Sequence, residues 1–286
     1  VEKPRKKQSQ LGEVWRRLRK NKIAVASLIV IVLLILIAIS APVIAPYSYE
    51  VQDTSHPLEG SSAQHLLGTD RLGRDILSRL LYGSRQSLMM GFTSILLSAA
   101  IGVIIGAIAG YWGGWVDNLL MRFLDIYQGI PMFLLTVTLA AMLGPSLRNA
   151  IIAIGISMIP GNARFMRACI LSVRDMEYIE AAKSINASST RIILRHIIPN
   201  SIAPMIVSVT MGLGSAVLAG AGLSFIGLGA QAPIAEWGAM ISDARSYLRG
   251  YPLLSLYPGI CIMIAVLAFN LLGDGLRDAL DPKLKT

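Results

Sequence analysis

A chain of 286 residues that is 54% hydrophobic and only 15% charged, with mean hydropathy +0.60, carries too little charge for a soluble domain, where about 25% is usual. It reads as an all-α, polytopic membrane protein, which excludes a soluble enzyme. The net charge of +9 does not indicate nucleic acid, because much of it sits at the N-terminus beside the first apolar run, leaving no room for a soluble module to present it.

Residues 1–22 form a basic segment, with Lys3, Arg5, Lys6, Lys7, Arg16, Arg17, Arg19, Lys20 and Lys22 against Glu2 and Glu13. Trp15 either anchors a short amphipathic helix at the interface or covers it. Residues 23–45 are the first transmembrane helix: Ile23 to Ala41 carries no charge, is long enough to span hydrocarbon, and ends at Pro42. The run is too long for a secretory signal. Its basic flank predicts a cytoplasmic N-terminus.

Residues 46–86 are predicted as an extracytoplasmic loop with an amphipathic helix. Thr69 or Asp70 starts the helix, Asp75 and Arg79 lie one turn apart, and Ile76, Leu77, Leu80 and Leu81 share a face. That pattern suits a helix lying on the membrane surface or against the bundle, acting as a structural cap or in substrate contact.

Residues 87–275 are predicted as a five-helix core. In the second span, Ser87 to Tyr111, Gly102, Gly106 and Gly110 recur every four residues, which marks close helix packing. Trp112 and Trp115 flank a turn at Gly113-Gly114. The third span, from near Asp117 to Leu143, is bent at Pro131, with Gly129 beside it. Arg122 and Asp125 lie three apart on it, either as a gate or as an ion pair holding two helices in register. The fourth span, about Asn149 to Ile170, contains Pro160-Gly161. Arg164, Arg167 and Arg174 then step out on the inner side.

A polar island at 175–196 follows, too long for a plain turn between spans. Ala181 and Ala182 offer a small-residue patch for close approach by another protein, rimmed by Glu177, Glu180, Lys183 and Arg191. Asn186 suits a left-handed helix end, and Ser188, Ser189 or Thr190 suits the next cap. The fifth span begins near Pro199, a first-turn proline, and runs to about Gly222. A re-entrant-looking segment through Pro233 and Glu236-Trp237-Gly238 precedes the last span, about Leu254 to Leu272. Gly222 and Gly227 have phosphate-loop spacing, but Leu228 stands where Lys is required, so no ATP site is expected there. Residues 276–286 form a tail containing a short capped helix. Cys169 and Cys261 read as packing residues, and His56, His65 and His196 have no metal-ligand spacing. No catalytic group is expected.

Glu180-Ala181-Ala182, with Asn186 where Gly is usual, and the ending Arg195-His196-Ile197-Ile198-Pro199-Asn200 resemble the EAA loop of ABC importer permeases. Leu67-Gly68-Thr69-Asp70, with Gly73-Arg74-Asp75, and Gly227-Leu228-Gly229 through Trp237-Gly238 resemble signatures of the C-type permease subunit of bacterial dipeptide, oligopeptide and nickel importers. The tail from Gly273 to Pro282 resembles that family's ending. The resemblance implies a type I ABC importer permease fold of six transmembrane helices, in the bacterial plasma membrane, with both termini cytoplasmic. It implies that Glu177, Glu180, Ala181, Ala182, Lys183, Asn186, Arg191, His196 and Pro199 belong to a coupling loop docking on a cytoplasmic ATPase. It further implies a second homologous permease as heterodimer partner, two ATP-binding subunits that use ATP and Mg, and an extracytoplasmic substrate-binding protein. This chain itself binds no cofactor. Di- or oligopeptide is the expected ligand, with a nickel chelate or glutathione as the alternative. An ion-coupled secondary transporter built on Arg122 and Asp125 is the competing class. It calls for inverted internal halves, and no internal repeat is evident. Substrate-contacting residues are not legible.

Overall fold

The structure, a computed structural model, describes residues 10–280. Lys3, Arg5, Lys6, Lys7 and the Asp281-Pro282 end of the predicted tail lie outside the described residues. Helix α1 (Gln10–Leu18) leads into α2 (Lys22–Ile44), whose N-terminus is capped by Asn21: its Oδ1 accepts from the Ile23 and Ala24 amides, each at 3.1 Å. α2 is apolar all round, and Val32, Leu36, Ile39 and Val43 remain exposed, as on a helix set against lipid.

α3 runs unbroken from Ile76 to Trp112. The amphipathic helix expected within 46–86 and the span expected from 87 are therefore one rod. Its 37 residues extend about 55 Å at 1.5 Å each, well beyond the ~30 Å hydrocarbon thickness. Asp75 starts it, accepting from the Ser78 amide and Ser78 Oγ, each at 2.7 Å.

α4 (Gly114–Gln128) and α5 (Met132–Leu143) meet at an 83° bend over Gly129, Ile130 and Pro131. The expected bend at Pro131 is present and is a complete break, since Pro131 has extended backbone (ψ 129°) and no N–H to carry the ladder on. α6 (Leu147–Leu171) starts at Ser146, whose Oγ accepts from the Asn149 amide at 3.1 Å, and continues through Pro160.

α7 (Glu177–Ser184) and α8 (Ser189–Ile192) form the polar island. A π-helical turn, Ile193–Ile197, joins α8 to α9 (Ile198–Phe225). Pro199 has no N–H to donate, and the Ile198 amide reaches back to the Ile193 carbonyl, widening the helix by one residue. α10 (Trp237–Ala244) and a 3₁₀ turn (Arg245–Tyr247) precede α11 (Leu253–Leu280). The last span does not stop near Leu272: the expected separate tail helix is its continuation through Leu280.

Four stretches are long and apolar enough to cross a membrane: α2, α3, Ser189–Phe225 and α11; the bent α4–α5 pair adds a fifth. α6, the fourth span expected from the sequence, falls outside that set. Arg148, Asn149, Asn162, Arg164 and Arg167 lower its hydropathy, while Ala150, Ala153, Ile154, Ala163, Met166 and Ile170 are fully buried in the bundle. α3 and α6 form the centre. A Cβ on Gly102 would lie 2.7 Å from Asn162 Cβ, and one on Gly110 2.9 Å from Ile170 Cγ2, so the four-residue glycine spacing does mark close backbone approach. α9 packs on both, α11 packs on α9, and α2 lies outside against α11 and α3.

Candidate functional site: the docking loop and the cavity at the helix bend

α7 is fastened to the bundle by Ile179 and Ala182, which join a buried cluster with Met166, Ile170, Ile192 and Ile197. The two alanines therefore do not share an outer patch. Ala181 is exposed, and Ala182 is turned in because it lies three residues from Ile179. What faces outward is Tyr178, Ala181 and Ile185, the last 81% exposed. Their i, i+3, i+7 spacing makes one apolar stripe, which sequence reasoning missed although the spacing was readable.

Glu177 and Glu180 occupy the first turn of α7 and Lys183 the last, each favourable to the helix dipole. Asn186 has φ +56°, the left-handed conformation expected of it. Ser188 is the residue that caps the next helix, accepting from the Arg191 amide. Arg191 is exposed. His196 lies in the π-helical turn and is half-buried, and Pro199 is exposed one turn later. The predicted loop residues thus form one continuous feature from Glu177 to Pro199, apart from the inward Ala182.

Arg122 and Asp125 do not pair. Arg122 is exposed, while Asp125 is met by Arg164 of α6, and Asp117 by Arg167. Spacing along one helix identified the acid, but its partner comes from the neighbouring helix. The two pairs tie α4 to α6, and Leu124 is the buried residue of α4. Where α4 ends, a cavity of about 500 Å³ opens between α3, α4, α5, α6 and α9. Pro131 lies on its wall with Tyr127, Gln128, Ser157, Asn162 and Ser208.

Residues 102–286 match the family described as binding-protein-dependent transport system inner membrane component, and residues 9–60 match the N-terminal TM domain of oligopeptide transport permease C. The chain belongs to this family. The permease is 48% identical over 274 residues to the dipeptide transport system permease protein DppC of Alkalihalophilus pseudofirmus, covering 96% of this chain and 90% of the relative. It is 44% identical to the glutathione transport system permease protein GsiD of Pectobacterium atrosepticum, over 96% and 91% of the two chains. Among solved structures it resembles the inward-facing MetNI methionine ABC transporter, at TM-score 0.58 and 20% identity, over 72% of this chain and 98% of the other. An amino acid ABC transporter with histidines matches at TM-score 0.55 and 18% identity, over 71% and 94%. The fold is the all-α ABC importer permease fold.

In the permease, the loop before α3 is a tied-down cap. Arg74 Nε binds Asp70 Oδ2 at 2.6 Å and its Nη2 binds Asp243 at 3.2 Å, joining the loop to α10. Arg79 does not pair with Asp75. It reaches Asp70 at 3.5 Å and donates to the Tyr49 carbonyl at 3.1 Å, while Asp75 holds Ser78 and His65 Nδ1 (2.9 Å). Glu236, fully buried, accepts from Ser87 Oγ at 2.7 Å and from the Gly238 and Ala239 amides. Trp237 Nε1 donates to the Leu80 carbonyl at 3.1 Å. The Glu236-Trp237-Gly238 run is therefore architectural: it caps α10 and seats it on α3.

Proposed function

We propose that this permease is the membrane-spanning subunit of an ATP-driven importer of di- or oligopeptides. In this reading it forms the translocation path with a second, homologous permease. Two cytoplasmic subunits bind and hydrolyse ATP with Mg, this chain having no ATPase site of its own, and an extracytoplasmic binding protein delivers the ligand. The chain sits in the bacterial inner membrane with both termini cytoplasmic.

The observation that carries the reading is the build of α7. Ile179 and Ala182 lock it to the bundle, while Tyr178, Ala181 and Ile185 are held outward with nothing over them among the described residues. An exposed apolar stripe rimmed by charge is a protein-docking face. Because α8, the π-helical turn and α9 follow directly, a pull on α7 is delivered to a transmembrane helix. The 48% identity to a dipeptide permease supports peptide as the ligand, and the 44% identity to glutathione permeases favours glutathione, itself a peptide, as the second reading.

The test is reconstitution of the complete importer in proteoliposomes, with disulfide cross-linking of a cysteine at Glu180 to the ATPase subunit. Loss of ligand-stimulated ATP hydrolysis on cross-linking, restored by reductant, is expected. Unimpaired hydrolysis with the link formed overturns the coupling role. Absence of ATP-dependent uptake for any dipeptide, tripeptide or glutathione overturns the ligand class.

A further inference from the structure

The cavity at the α4–α5 bend has a chemistry that nothing in the docking loop or the cap requires. It lies midway along α6 and α9, at the depth of Ser157, Asn162 and Ser208, where an apolar wall is the expected default. Yet its lining mixes hydroxyl and amide groups, and among the described residues that line it none is charged. Tyr127 Oη is buried without a hydrogen-bond partner among the described residues. An unmatched buried hydroxyl is costly unless something supplies the missing bond. Asn162 is already fixed, donating to Ser98 Oγ at 2.7 Å, and Ser157 Oγ donates to the Ala153 carbonyl. Tyr127, Gln128 and Ser208 are the groups left to meet a guest. The nearby guanidinium, Arg164, is taken by Asp125.

We propose that this cavity is a subsite for the uncharged amide backbone of a passing peptide, with Tyr127 and Gln128 exchanging hydrogen bonds with peptide N–H and C=O groups. The inference rests on the peptide-importer reading. A carboxylate or ammonium lodged there would meet no counter-charge and is disfavoured, whereas an amide both donates and accepts, as do a phenol and a carboxamide. About 500 Å³ is within the range of small-molecule sites. Neutral, sparse contacts also hold weakly, which suits a site that must release its occupant.

Gly161 supplies the sharpest probe. It lies on the cavity wall, and a Cβ built there meets no heavy atom within 4 Å, so a larger side chain enters the cavity without disturbing the helix. The complete importer, reconstituted in proteoliposomes with its binding protein, is assayed for labelled dipeptide uptake and ATP hydrolysis together. Gly161→Leu is expected nearly to abolish the peptide carried per ATP hydrolysed by the assembled complex. Tyr127→Phe is expected to lower peptide per ATP about two- to tenfold, the effect of one neutral hydrogen bond. Unchanged uptake per ATP in both variants overturns the proposal. A block by Gly161→Leu with Tyr127→Phe unaffected makes the cavity a bare passage and overturns it as well. Failure of the Gly161→Leu subunit to join the complex shows that a neighbouring subunit fills the cavity, and does the same. If the wild-type importer itself carries no peptide, the fault lies in the function reading and not in the subsite.

Discussion

Ala181 and Ala182 are adjacent in the chain and face opposite ways: Ala182 is packed into the bundle, and Ala181 stands on the surface of α7. Enlarging each must therefore do different things. Ala182→Leu overfills a closed site and is expected to cost about 1–3 kcal/mol of stability, read as a lowered melting temperature of the purified permease. Ala181→Arg is expected to change stability by less than about 0.5 kcal/mol, while binding of the ATPase subunits and coupled hydrolysis fall sharply. Equal thermal effects of the two changes would contradict the geometry.

Asn186 turns the chain at φ +56°. Asn186→Gly is expected to keep both stability and coupling, because glycine adopts this conformation freely. Asn186→Val forces a β-branched residue into it, with an expected cost of about 1–2 kcal/mol and a displaced α8. Thermal melts with ATPase assays on the reconstituted complex separate the two.

The two ion pairs of α4 are unequal. Asp117 is nearly enclosed (13% side-chain exposure) and receives both Nε and Nη2 of Arg167, whereas Asp125 is 57% exposed and takes a single contact from Arg164. Asp125→Asn is expected to cost less than about 1 kcal/mol, as for surface pairs. Asp117→Asn is expected to cost more than about 1 kcal/mol, because the fork of the guanidinium loses its match. Chemical denaturation of the two variants side by side checks the order.

The turn at Asp53-Thr54-Ser55-His56 gives a pH expectation. Hydrogen bonds from Ser55 and His56 hold the Asp53 carboxyl down at about 2, below its ordinary 3.8. The bond to Asp53, with Glu59 nearby, raises His56 above its ordinary 6.5. The contribution of His56 is complete below 6.5 and fades as pH rises through its raised value. That of Asp53 is complete above 3.8 and fades as pH falls toward 2. The turn is expected to be best ordered between about pH 4 and 6.5, with the amide-exchange protection factors at Ser55 and His56, corrected for the intrinsic pH dependence of exchange, highest there. Protection factors that rise on going to pH 8 would reverse the sign.

Much of this was legible because it is local. The left-handed turn at Asn186, the cap among Ser188, Ser189 and Thr190, the break at Pro131 and the glycine contact of α3 with α6 each follow from a residue's own backbone chemistry. The failures are tertiary. Arg79 and Arg85 end the apolar run and so divide α3 in the sequence, and Asp70 with the Tyr49 carbonyl accounts for the burial of Arg79. Ala182 was misplaced because helix phase is meaningless until the bundle supplies an inside. Arg122 was paired by spacing, and the true partner of Asp125 is on another helix. The cavity left no trace in the sequence, since it is made of what five helices fail to fill.

The route from Ser189 to Phe225 has no flexible joint: one widened turn at Ile193–Ile197 is followed by unbroken helix. Beyond that turn, such a shaft tilts or slides as one piece. In the proposed coupling role, a movement imposed on α8 travels along this shaft toward Phe225 and α10. The widened turn is the place where slack of one residue could be taken up, so the stiffness of those five residues sets how much of the stroke arrives.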